Sequence, residues 1–476
     1  VQGVGFRPFV HRLATGLGLD GHVANELDRV RIRVAGPPAA VDDLAGRLVA
    51  EAPPLARIDR IERVTRADGA VGRRPTAGFV IAESGSEGPD RTSLPPDAVM
   101  CADCRRELLD PGDRRYRHPF ITCTNCGPRF TVIRDLPYDR PTTTMADFTM
   151  CSTCRSEYED PGDRRHHAQT IACHDCGPVL ALHARQDRRP DAVGPGALAA
   201  AREGLGAGRI VAVKGLGGYH LACDATDDAT VARLRGRKHR PDKPFAVMVG
   251  SLDEAAALAR IDGVERSLLS STAGPIVLLP ARAGSPLSEL VAPGNPLVGV
   301  MLAPTPLHHL LVDGHRGPLV MTSGNRSGEP ITFRDDEVAS RLGDLCDVVL
   351  THDRPIEVPC DDSVVRVVDG AVLPVRRARG YAPLPIGLPR AGRAVLATGG
   401  ELKNTFTLAA GNRAWVSQHT GDMENLATLD AFEASVERFT RMYRVEPDVV
   451  AVDAHPGYRT TTWGQRAAAP TVTVQH

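Results

Sequence analysis

The 476-residue sequence has few aromatic residues and almost no net charge. Aromatic residues make up 4% of the chain, and 57 basic residues balance 58 acidic ones to a formal charge of −1. This balance argues against an overall electrostatic attraction to nucleic acid, although it leaves room for a local basic patch. No run approaches the roughly 18 apolar residues that a membrane-spanning helix needs. Phe6-Arg7-Pro8 also interrupts any signal-peptide pattern, so we expect a cytoplasmic protein without membrane or nucleic-acid partners.

Cysteine is scarce outside one region. Eight of the eleven cysteines form four C-x-x-C pairs, and only Cys223, Cys346 and Cys360 lie elsewhere. The pairs belong to a repeat with an offset of 50 residues, CADCRRELLDPGDRR with CTNCGP and then CSTCRSEYEDPGDRR with CHDCGP. In a reducing compartment such pairs are typical of metal ligands, and four thiolates complete the closed shell of structural zinc. We predict two structural Zn²⁺ sites, whose ligands are Cys101, Cys104, Cys123, Cys126, Cys151, Cys154, Cys173 and Cys176.

The spacing favours one zinc site within each repeat. An exchanged arrangement, in which Cys101 and Cys104 share a metal with Cys151 and Cys154, is the alternative. Four thiolates and one Zn²⁺ carry a net charge of −2, and seven nearby arginines are placed to offset it. They are Arg105, Arg106, Arg114, Arg115, Arg155, Arg164 and Arg165. Since apolar residues are few here, metal binding (on the order of 10–16 kcal/mol) should supply most of the folding energy.

Residues 1–90 predict a small unit of order α-β-β-α-β, with strands near 30–34, 58–64 and 79–81. The glycine-containing loop at 3–8 leads directly into a helix. Backbone N–H groups at such a helix start can bind an anion that Arg7 would also hold. An ordinary tight turn is the alternative interpretation of this loop.

The motifs VQGVGFRPFV and GHVANE are similar to the acylphosphatase signature. The resemblance implies a ferredoxin-like fold without its leading strand. It also implies that Arg7 holds a phosphate and that Asn25 positions the attacking water.

Residues 196–385 predict a mixed α/β domain with buried strands near 210–213, 245–249 and 276–279. A linker is expected at 181–195, and a second joint near 386–394. The stretch RGRKHRPDKP at 235–244 holds a dense group of cations suited to polyphosphate or a small carboxylate. The polar stretch TSGNRSG at 322–328 follows an apolar run, as ligand-facing residues often do in α/β folds. A solvated charge run and a plain turn are the respective alternatives.

The two clusters together resemble the K-x-R and S-x-N elements of the YrdC/Sua5 family, which makes threonylcarbamoyl-adenylate from ATP. The resemblance implies that nucleotide and carbamoyl groups bind at one set of residues. They are Lys238, Arg240, Lys243, Ser323 and Asn325, with Lys214 in a loop that helps to enclose the substrate. Arg376 and Arg379 either add phosphate contacts or lie at the surface.

Residues 393–476 carry a TGGELKNT turn at 398–405 and an apolar strand at 449–452. They resemble the start of the TsaD-type carbamoyltransferase domain, an actin-like ATPase fold that holds a metal between two histidines. His476 matches the first of these histidines, so we expect an incomplete metal site in a domain that the sequence covers only in part.

The order of these four units resembles the HypF family of hydrogenase-maturation carbamoyltransferases. The resemblance implies cleavage of carbamoyl phosphate, carbamoyl-adenylate formation with ATP and Mg²⁺, and transfer of the carbamoyl group to the C-terminal cysteine of a HypE-like acceptor. A further divalent metal is implied in the last domain, and this sequence alone should not perform the transfer. The expected fold class is multidomain, α/β and α+β. The alternatives are a threonylcarbamoyl-adenylate synthase of tRNA modification and a zinc-ribbon protein that binds nucleic acid.

Overall fold

The computed structural model describes residues 4–26, 29–53, 55–56, 58, 60–64, 78–82, 94–184, 189–315 and 317–475. Within these ranges the strands form three sheets, of three, eleven and four strands. Among the helices described, none is long and apolar enough to cross a lipid bilayer. The expected multidomain combination of α/β and α+β units is confirmed.

The N-terminal unit packs two helices on the three-stranded sheet. Its elements are α1 (Phe6–Gly16), β1 (Asp20–Asn25), β2 (Val30–Ala35), α2 (Pro38–Ala50) and β3 (Phe79–Ile81). The central strand β1 is antiparallel to β2 and parallel to β3. Phe9, Val10 and Leu13 lie on one face of α1 and share a buried core with Leu44 and Leu48 of α2. The observed order matches the predicted α-β-β-α-β, but β1 (Asp20–Asn25) was not among the predicted strands.

The strand predicted near 58–64 is wrong for the part of that segment that the structure describes. Residues 58 and 60–64 have no regular secondary structure, and Val64 is 83% exposed. The apolar residues Ile58, Ile61 and Val64 recur at every third position, whereas a half-buried strand requires every second one. In a strand, Ile61 would therefore lie on the opposite face from Ile58 and Val64.

The two zinc repeats have the same backbone conformation. Helices α3 (Ala102–Leu109) and α4 (Ser152–Glu159) each begin directly after the first cysteine of their repeat. The left-handed residues also recur at the same offset, Arg117 with φ 57° and His167 with φ 56°. A short 3₁₀ helix, Arg140–Thr142, lies between the repeats.

The eleven-stranded sheet is the largest element of the molecule. Its strands are β4 (Leu180–Ala184), β5 (Ala192–Val193), β6 (Val211–Lys214), β7 (Tyr219–Asp224), β8 (Ala246–Val249), β9 (Ile276–Pro280), β10 (Leu297–Leu302), β11 (Leu319–Ser323), β12 (Val348–His352), β13 (Val364–Val368) and β14 (Ala371–Arg376). Their spatial order is β14-β13-β9-β10-β8-β11-β7-β6-β12-β4-β5. The accompanying helices are α5 (Pro195–Gly206), α6 (Asp228–Lys238), α7 (Leu252–Leu258), α8 (Gly263–Leu269), α9 (Pro306–His315) and α10 (Val338–Leu342), with 3₁₀ helices at Glu289–Val291 and Asp335–Glu337.

The middle strands of this sheet are buried on both faces. Val211 and Val213 of β6 belong to one apolar cluster, whereas Ile210 and Ala212 belong to a second one on the opposite face. Strands covered on both sides appear in the sequence as continuous apolar runs. The strands predicted near 210–213, 245–249 and 276–279 are confirmed.

The linker predicted at 181–195 is wrong in its described part. Leu180–Ala184 forms β4, which pairs with β12, and Ala192–Val193 pairs with β4 in turn. Leu180 and Leu182 alternate with more exposed residues and are buried, which is the pattern of a half-buried strand. The polar residues around them concealed this alternation.

The joint predicted near 386–394 is placed a few residues too late, because the eleven-stranded sheet ends with β14 (Ala371–Arg376) and the last sheet begins at Pro385. Residues 386–394 belong to one long strand, β15 (Pro385–Ala397), which pairs with β16 (Thr407–Val416). The pairing register shifts between Gly387 and Gly392 and again before Val395. Such irregularities are where a strand tolerates proline, so the glycines and prolines of this segment mark a bulged ribbon.

The last unit contains a four-stranded sheet of order β16-β15-β17-β18, with β17 (Val449–Asp453), β18 (Thr471–Val474), α11 (Leu426–Tyr443) and α12 (Arg459–Gln465). Its aromatic core is continuous with the neighbouring units, since Phe406 and Phe439 share a buried cluster with Phe130 and Val358. The ring centroids of Phe130 and Phe439 are 6.1 Å apart. The predicted domain ranges 1–90, 91–180, 196–385 and 393–476 stay predictions.

Candidate active and metal sites

The N-terminal loop places Arg7 at the start of α1. Gly5 caps this helix with φ 73°, and a Cβ atom there would lie 2.8 Å from Cβ of Thr124 in the first zinc repeat. Glycine is therefore required both for its backbone conformation and for the close approach. Arg7 is largely buried, and its Nη2 lies 3.6 Å from Oδ1 of Asp139. Asn25 is the last residue of β1 and is 6% exposed.

Asp139 was missed by sequence reasoning. It lies in the segment between the two zinc repeats, and nothing in the stretch LPYDRP marks it as a partner for a residue more than a hundred positions away. The ion pair with Arg7 links the N-terminal unit to the zinc region, so the candidate phosphate loop rests on residues of two units.

The eight paired cysteines converge in two groups, one per repeat. Cys101, Cys104, Cys123 and Cys126 form the first group, and Cys151, Cys154, Cys173 and Cys176 form the second. The arrangement within each repeat is therefore the one observed, and the exchanged arrangement is not.

The sulfur spacing fits tetrahedral zinc. In the first group the Sγ–Sγ distances include 3.6 Å for Cys101–Cys123 and 3.5 Å for Cys104–Cys126, and in the second 3.7 Å for Cys151–Cys173. Four sulfurs at a Zn–S distance of about 2.3 Å would be separated by about 3.8 Å. Four thiolates would fill a tetrahedral shell and leave no position for water, which is typical of a structural site. The cysteines are free thiols rather than disulfides. Two zinc sites are thus supported.

Lys238 ends α6 and extends its ammonium group to the end of β11. Its Nζ donates to the backbone oxygen of Ser323 at 2.7 Å, and to the backbone oxygen and Oδ1 of Asn325 at 2.6 and 2.8 Å. The hydroxyl of Ser323 donates to the same Oδ1 at 2.8 Å. Lys238 is thus brought together with Ser323 and Asn325, two predicted binding residues more than 80 positions later in the sequence.

Arg240 and Lys243 lie beside this cluster. Nη1 of Arg240 is 3.4 Å from Oγ1 of Thr322, and its guanidinium carbon lies 5.0 Å from the ring centroid of Phe245. Its Nε donates to the backbone oxygen of Lys243 at 3.1 Å. The turn that allows this follows His239, which caps α6 in the left-handed conformation with φ 50°.

The cations of the cluster donate hydrogen bonds to neutral oxygens, and the two carboxylates that act on Lys238, those of Asp361 and Glu329, offset only part of the effect of burial. Burial, reinforced by Arg240, lowers the pKa of Lys238 to about 7. Burial also lowers the pKa of Arg240 to about 10, with Arg235 and Arg376 contributing. The pKa of Lys243 is lowered by burial and then by Arg240. The hydrogen-bond acceptors described for Lys238 are all neutral oxygens, so an incoming anion would relieve the cost of burying its charge.

Arg376 lies close enough to this cluster to lower the pKa of both Arg240 and Lys243. Nη1 of Arg376 is 4.0 Å from Oδ2 of Asp361. The same oxygen lies 2.9 Å from Nδ1 of His419. Asp361 was missed by sequence reasoning, whereas His419 lies in the polar stretch SQHTGD that follows β16. The last unit therefore reaches the edge of the cation cluster.

Arg379 has a different position. It is buried, donates to Oδ1 of Asp362 at 2.6 Å and to the backbone oxygen of Gly274 at 2.8 Å. Arg379 is therefore neither at the surface nor available to contact phosphate, because its N–H groups already donate to Asp362 and Gly274 within the sheet domain.

Lys214 is not brought together with the other predicted binding residues. In the sheet β7 and β6 follow β11, so Lys214 lies two strands away from Ser323. Its buried Nζ donates to Oδ2 of Asp335 at 2.7 Å and to the backbone oxygen of His352 at 2.8 Å. It lines a separate cavity between the first zinc repeat and the sheet, together with residues that include Phe120, Thr122, Leu216, His352 and Arg354.

In the last unit, Asn404 shapes the TGGELKNT turn from within, donating to the backbone oxygens of Thr398 and Gly400 at 2.9 and 2.8 Å. The metal-ligand prediction for His476 lies outside the described residues.

Four family profiles match most of the chain. Their descriptions are acylphosphatase for residues 1–80, HypF finger for 100–133 and 150–183, telomere recombination for the Sua5/YciO/YrdC profile at 203–378, and HypF Kae1-like domain for 390–476. Their order is the one that the sequence motifs predict.

Several curated relatives align along the whole chain. Carbamoyltransferase HypF of Synechocystis sp. is 48% identical, and carbamoyltransferase HypF2 of Cupriavidus necator is 49% identical. Each alignment covers 100% of this chain and 61% of the relative, so the chain spans about three fifths of the length of these proteins. A threonylcarbamoyl-AMP synthase of Chromohalobacter salexigens is 35% identical over only 26% of this chain, which does not favour the synthase alternative.

Solved structures also match along the whole chain. A crystal structure of full-length HypF in the phosphate- and nucleotide-bound form has a TM-score of 0.93 and 42% identity, covering 100% of this chain and 62% of that one. The crystal structure of HypF from T. kodakarensis has a TM-score of 0.90 and 40% identity, covering 100% of this chain and 61% of that one.

Proposed function

This chain belongs to the HypF family, and we propose from that premise that it catalyses two steps of carbamoyl transfer. In the first, water cleaves carbamoyl phosphate to carbamate and phosphate at the N-terminal unit. In the second, the carbamate oxygen attacks the α-phosphate of ATP, which enters as its Mg²⁺ complex, and forms carbamoyl-adenylate with release of pyrophosphate. The setting is cytoplasmic.

One observation carries the second step. Lys238, which is buried, forms a group of cations and neutral acceptors with Arg240 and the end of β11. Burial lowers the pKa of both cations, and an anion bound beside them would offset the cost of burying their charge. A triphosphate would supply that anion, and the cations would offset the charge that develops on the departing pyrophosphate.

Lys238 has a particular role in this proposal. In its charged form the ammonium group has three hydrogens, and three oxygens of Ser323 and Asn325 lie in position to accept them. Lys238 therefore fixes the strand end in the free protein, and to contact phosphate it would exchange at least one of these oxygens. Ser323 and Asn325 would then be released to bind the nucleotide or the carbamoyl group.

The first step rests on Arg7 and Asn25. Arg7 would bind the phosphoryl oxygens together with N–H groups at the start of α1, and Asn25 would position the water. The ion pair with Asp139 supports this role because it holds the guanidinium at the helix start.

Transfer of the carbamoyl group to the C-terminal cysteine of a HypE-like acceptor is proposed for a protein of the relatives' full length, and this chain spans about three fifths of that length. A further divalent metal in the last unit belongs to the same proposal.

The test of the second step is pyrophosphate release from ATP by this chain, with and without carbamoyl phosphate. We expect release only when carbamoyl phosphate is present, and a loss of 10²–10³-fold in Lys238→Met. Arg237→Met is the matched control, since Arg237 lies on the same helix and pairs with Asp347 at 2.7 Å. Release that requires threonine and bicarbonate instead would support the synthase alternative and contradict this proposal.

The first step is tested separately by phosphate release from carbamoyl phosphate without ATP. Arg7→Ala should abolish it, whereas Arg47→Ala, which removes an exposed pair with Glu51 on α2, should not change it. Unchanged phosphate release in Arg7→Ala would remove Arg7 from its role without affecting the argument for Lys238.

A further inference from the structure

The arginines of each zinc repeat contact the sulfur atoms of the other repeat. From the first repeat, Nη1 of Arg114 lies 3.5 Å and Nη2 of Arg115 lies 3.4 Å from Sγ of Cys154. From the second repeat, Nη2 of Arg164 lies 3.3 Å from Sγ of Cys104. The compensation of thiolate charge is thus exchanged between the repeats, although the cysteines that share a metal are not.

Not all of the seven arginines expected to offset the charge take part in the same way. Arg106 pairs with Asp103 at 2.8 Å and Arg155 pairs with Glu159 at 3.8 Å, each within its own helix. The arginine contacts to sulfur that the structure describes come from the D-P-G-D-R-R segments.

One carboxylate holds the arginines of each repeat in place beside the sulfur atoms of the other repeat. Glu157 of the second repeat accepts from Arg114 at 3.1 Å and from Arg115. At the equivalent position of the first repeat, Glu107 accepts from Arg164 at 2.5 Å and from Arg165. The second arginine of each D-P-G-D-R-R segment is nearly inaccessible to solvent. The side chain of Arg115 is 1% exposed and that of Arg165 is 5% exposed.

The arginines are positioned by their own repeat. The D-P-G-D turn follows the zinc helix directly, and in it Oδ1 of Asp113 accepts the backbone N–H of Arg115 at 2.7 Å. Asp163 accepts from Arg165 in the same way, also at 2.7 Å. Because the helix starts at two zinc ligands, the metal of one repeat fixes the turn that carries arginines to the other repeat's sulfurs.

We propose that the two zinc sites are reciprocally coupled, so that loss of the metal from either site weakens the binding of zinc at the other. Each site has a net charge of −2 in a largely buried setting, and burying uncompensated charge is costly. Removing zinc from one repeat releases its helix and turn and withdraws the cations from the opposite sulfurs. Partners around metal ligands of this kind typically contribute 10–100-fold to metal affinity.

The test follows zinc loss at each site separately. The zinc-loaded chain is challenged with a chelator, and cysteines are alkylated at intervals and mapped by peptide mass spectrometry. In Arg164→Ala we expect alkylation of the first group of cysteines, beginning with Cys104, to accelerate by about tenfold or more before the second group reacts. In Arg114→Ala the order reverses. Arg106→Ala, whose arginine pairs within its own helix, should match the unaltered chain.

A second variant tests the coupling itself. Cys151→Ser with Cys154→Ser removes the second site, and the first group should then lose zinc at least tenfold faster than in the unaltered chain. The proposal is overturned if the first group keeps its zinc at the original rate in this variant. It is also overturned if Arg164→Ala exposes the cysteines of its own repeat first, or leaves all eight as protected as before.

Discussion

Buried cations occur in two regions of this molecule, and their partners differ. In the zinc repeats, burial alone would lower the pKa of Arg115 and of Arg164, but carboxylate and thiolate partners outweigh burial and the pKa of each is raised. At the end of β11, Lys238 and Arg240 donate to neutral oxygens, and burial lowers their pKa to about 7 and about 10.

This contrast distinguishes cations that stabilise the fold from cations that can bind a ligand. A buried cation whose anion belongs to the same chain stabilises the fold and is already satisfied. A buried cation among neutral acceptors costs stability until an external anion arrives, which is typical of binding sites. Sequence shows both as arginine- and lysine-rich stretches, RELLDPGDRR and RGRKHRPDKP. Only the partners tell them apart.

The largest effect is expected from removing the zinc that gives the repeats their charge. Chelation should destabilise each repeat on the order of 10 kcal/mol, since metal binding supplies most of its folding energy. In hydrogen exchange, residues 168–173, which belong to a small cluster of their own, should lose protection, whereas β6 should keep it.

The first zinc repeat should respond less to chelation than the second. Leu108 and Phe120 of the first repeat belong to the apolar cluster of the large sheet, so packing continues to hold them. Loss of protection in β6 before residues 168–173 would contradict the view that the sheet is independent of the metal.

A smaller effect should follow from removing one internal anion. Glu157→Gln keeps the shape but leaves Arg114 and Arg115 without their carboxylate, and breaking a pair of this kind should lower the free energy of unfolding by about 3 kcal/mol. Glu159→Gln, which removes an exposed pair with Arg155, should change it by less than about 0.5 kcal/mol. Denaturant midpoints at a constant slope measure both. Equal effects would show that the cations of the zinc repeats do not depend on their partners.

Much of the fold follows from the sequence because its signals are local. Continuous apolar runs predicted the central strands, and the 50-residue offset predicted two repeats, which have the same backbone conformation. The failures have the same cause. The polar run RQDRRP that follows β4 concealed the short alternation of that strand, and residues 386–394 are rich in glycine and proline, which concealed the bulged strand β15. The pairing of β4 with β12, more than 150 positions later in the sequence, leaves no local trace.

The candidate site divides in the same way. Lys238, Ser323 and Asn325 were predicted because each lies in a distinctive cluster, and the fold brings them together. Lys214 is equally distinctive but faces Asp335. Asp139 and Asp361 were missed because a single aspartate carries no signal until its partner is known. The sequence shows which residues could take part in a binding site, but it does not show which partner each residue has in the folded chain.

A polyphosphate should stabilise the cation cluster but not the zinc repeats. At a concentration of 100 times its Kd, ATP should raise the free energy of unfolding by about 2.7 kcal/mol, because it binds the folded state alone. The shift should vanish in Lys238→Met and persist in Glu157→Gln, as measured by thermal unfolding with and without ATP. A shift that survives in Lys238→Met would place the anion elsewhere.

The smallest effect, and the most specific, is the pH dependence of ATP binding. In the free protein the pKa of Lys238 is about 7, lowered by burial and by Arg240, so above pH 7 the side chain is mostly neutral. ATP favours the charged form, so binding must take up a proton, and affinity should fall by up to tenfold, or about 1.4 kcal/mol, per pH unit above 7. Measurements at pH 7.5–9 lie above the phosphate pKa of about 6, where the charge of ATP is nearly constant.

The stability of the free protein should change in the opposite direction. The unfolded chain holds the Lys238 proton up to a pKa of about 10.4, so between pH 7 and 10 it binds more protons than the folded chain. The contribution of Lys238 to the free energy of unfolding therefore rises with pH over the range in which ATP affinity falls. Calorimetry at pH 8, in two buffers of different ionisation enthalpy, should show uptake approaching one proton per ATP, and Lys238→Met should abolish it. Binding without proton uptake would mean that Lys238 is already charged and paired, and the contrast with the zinc-repeat arginines would disappear.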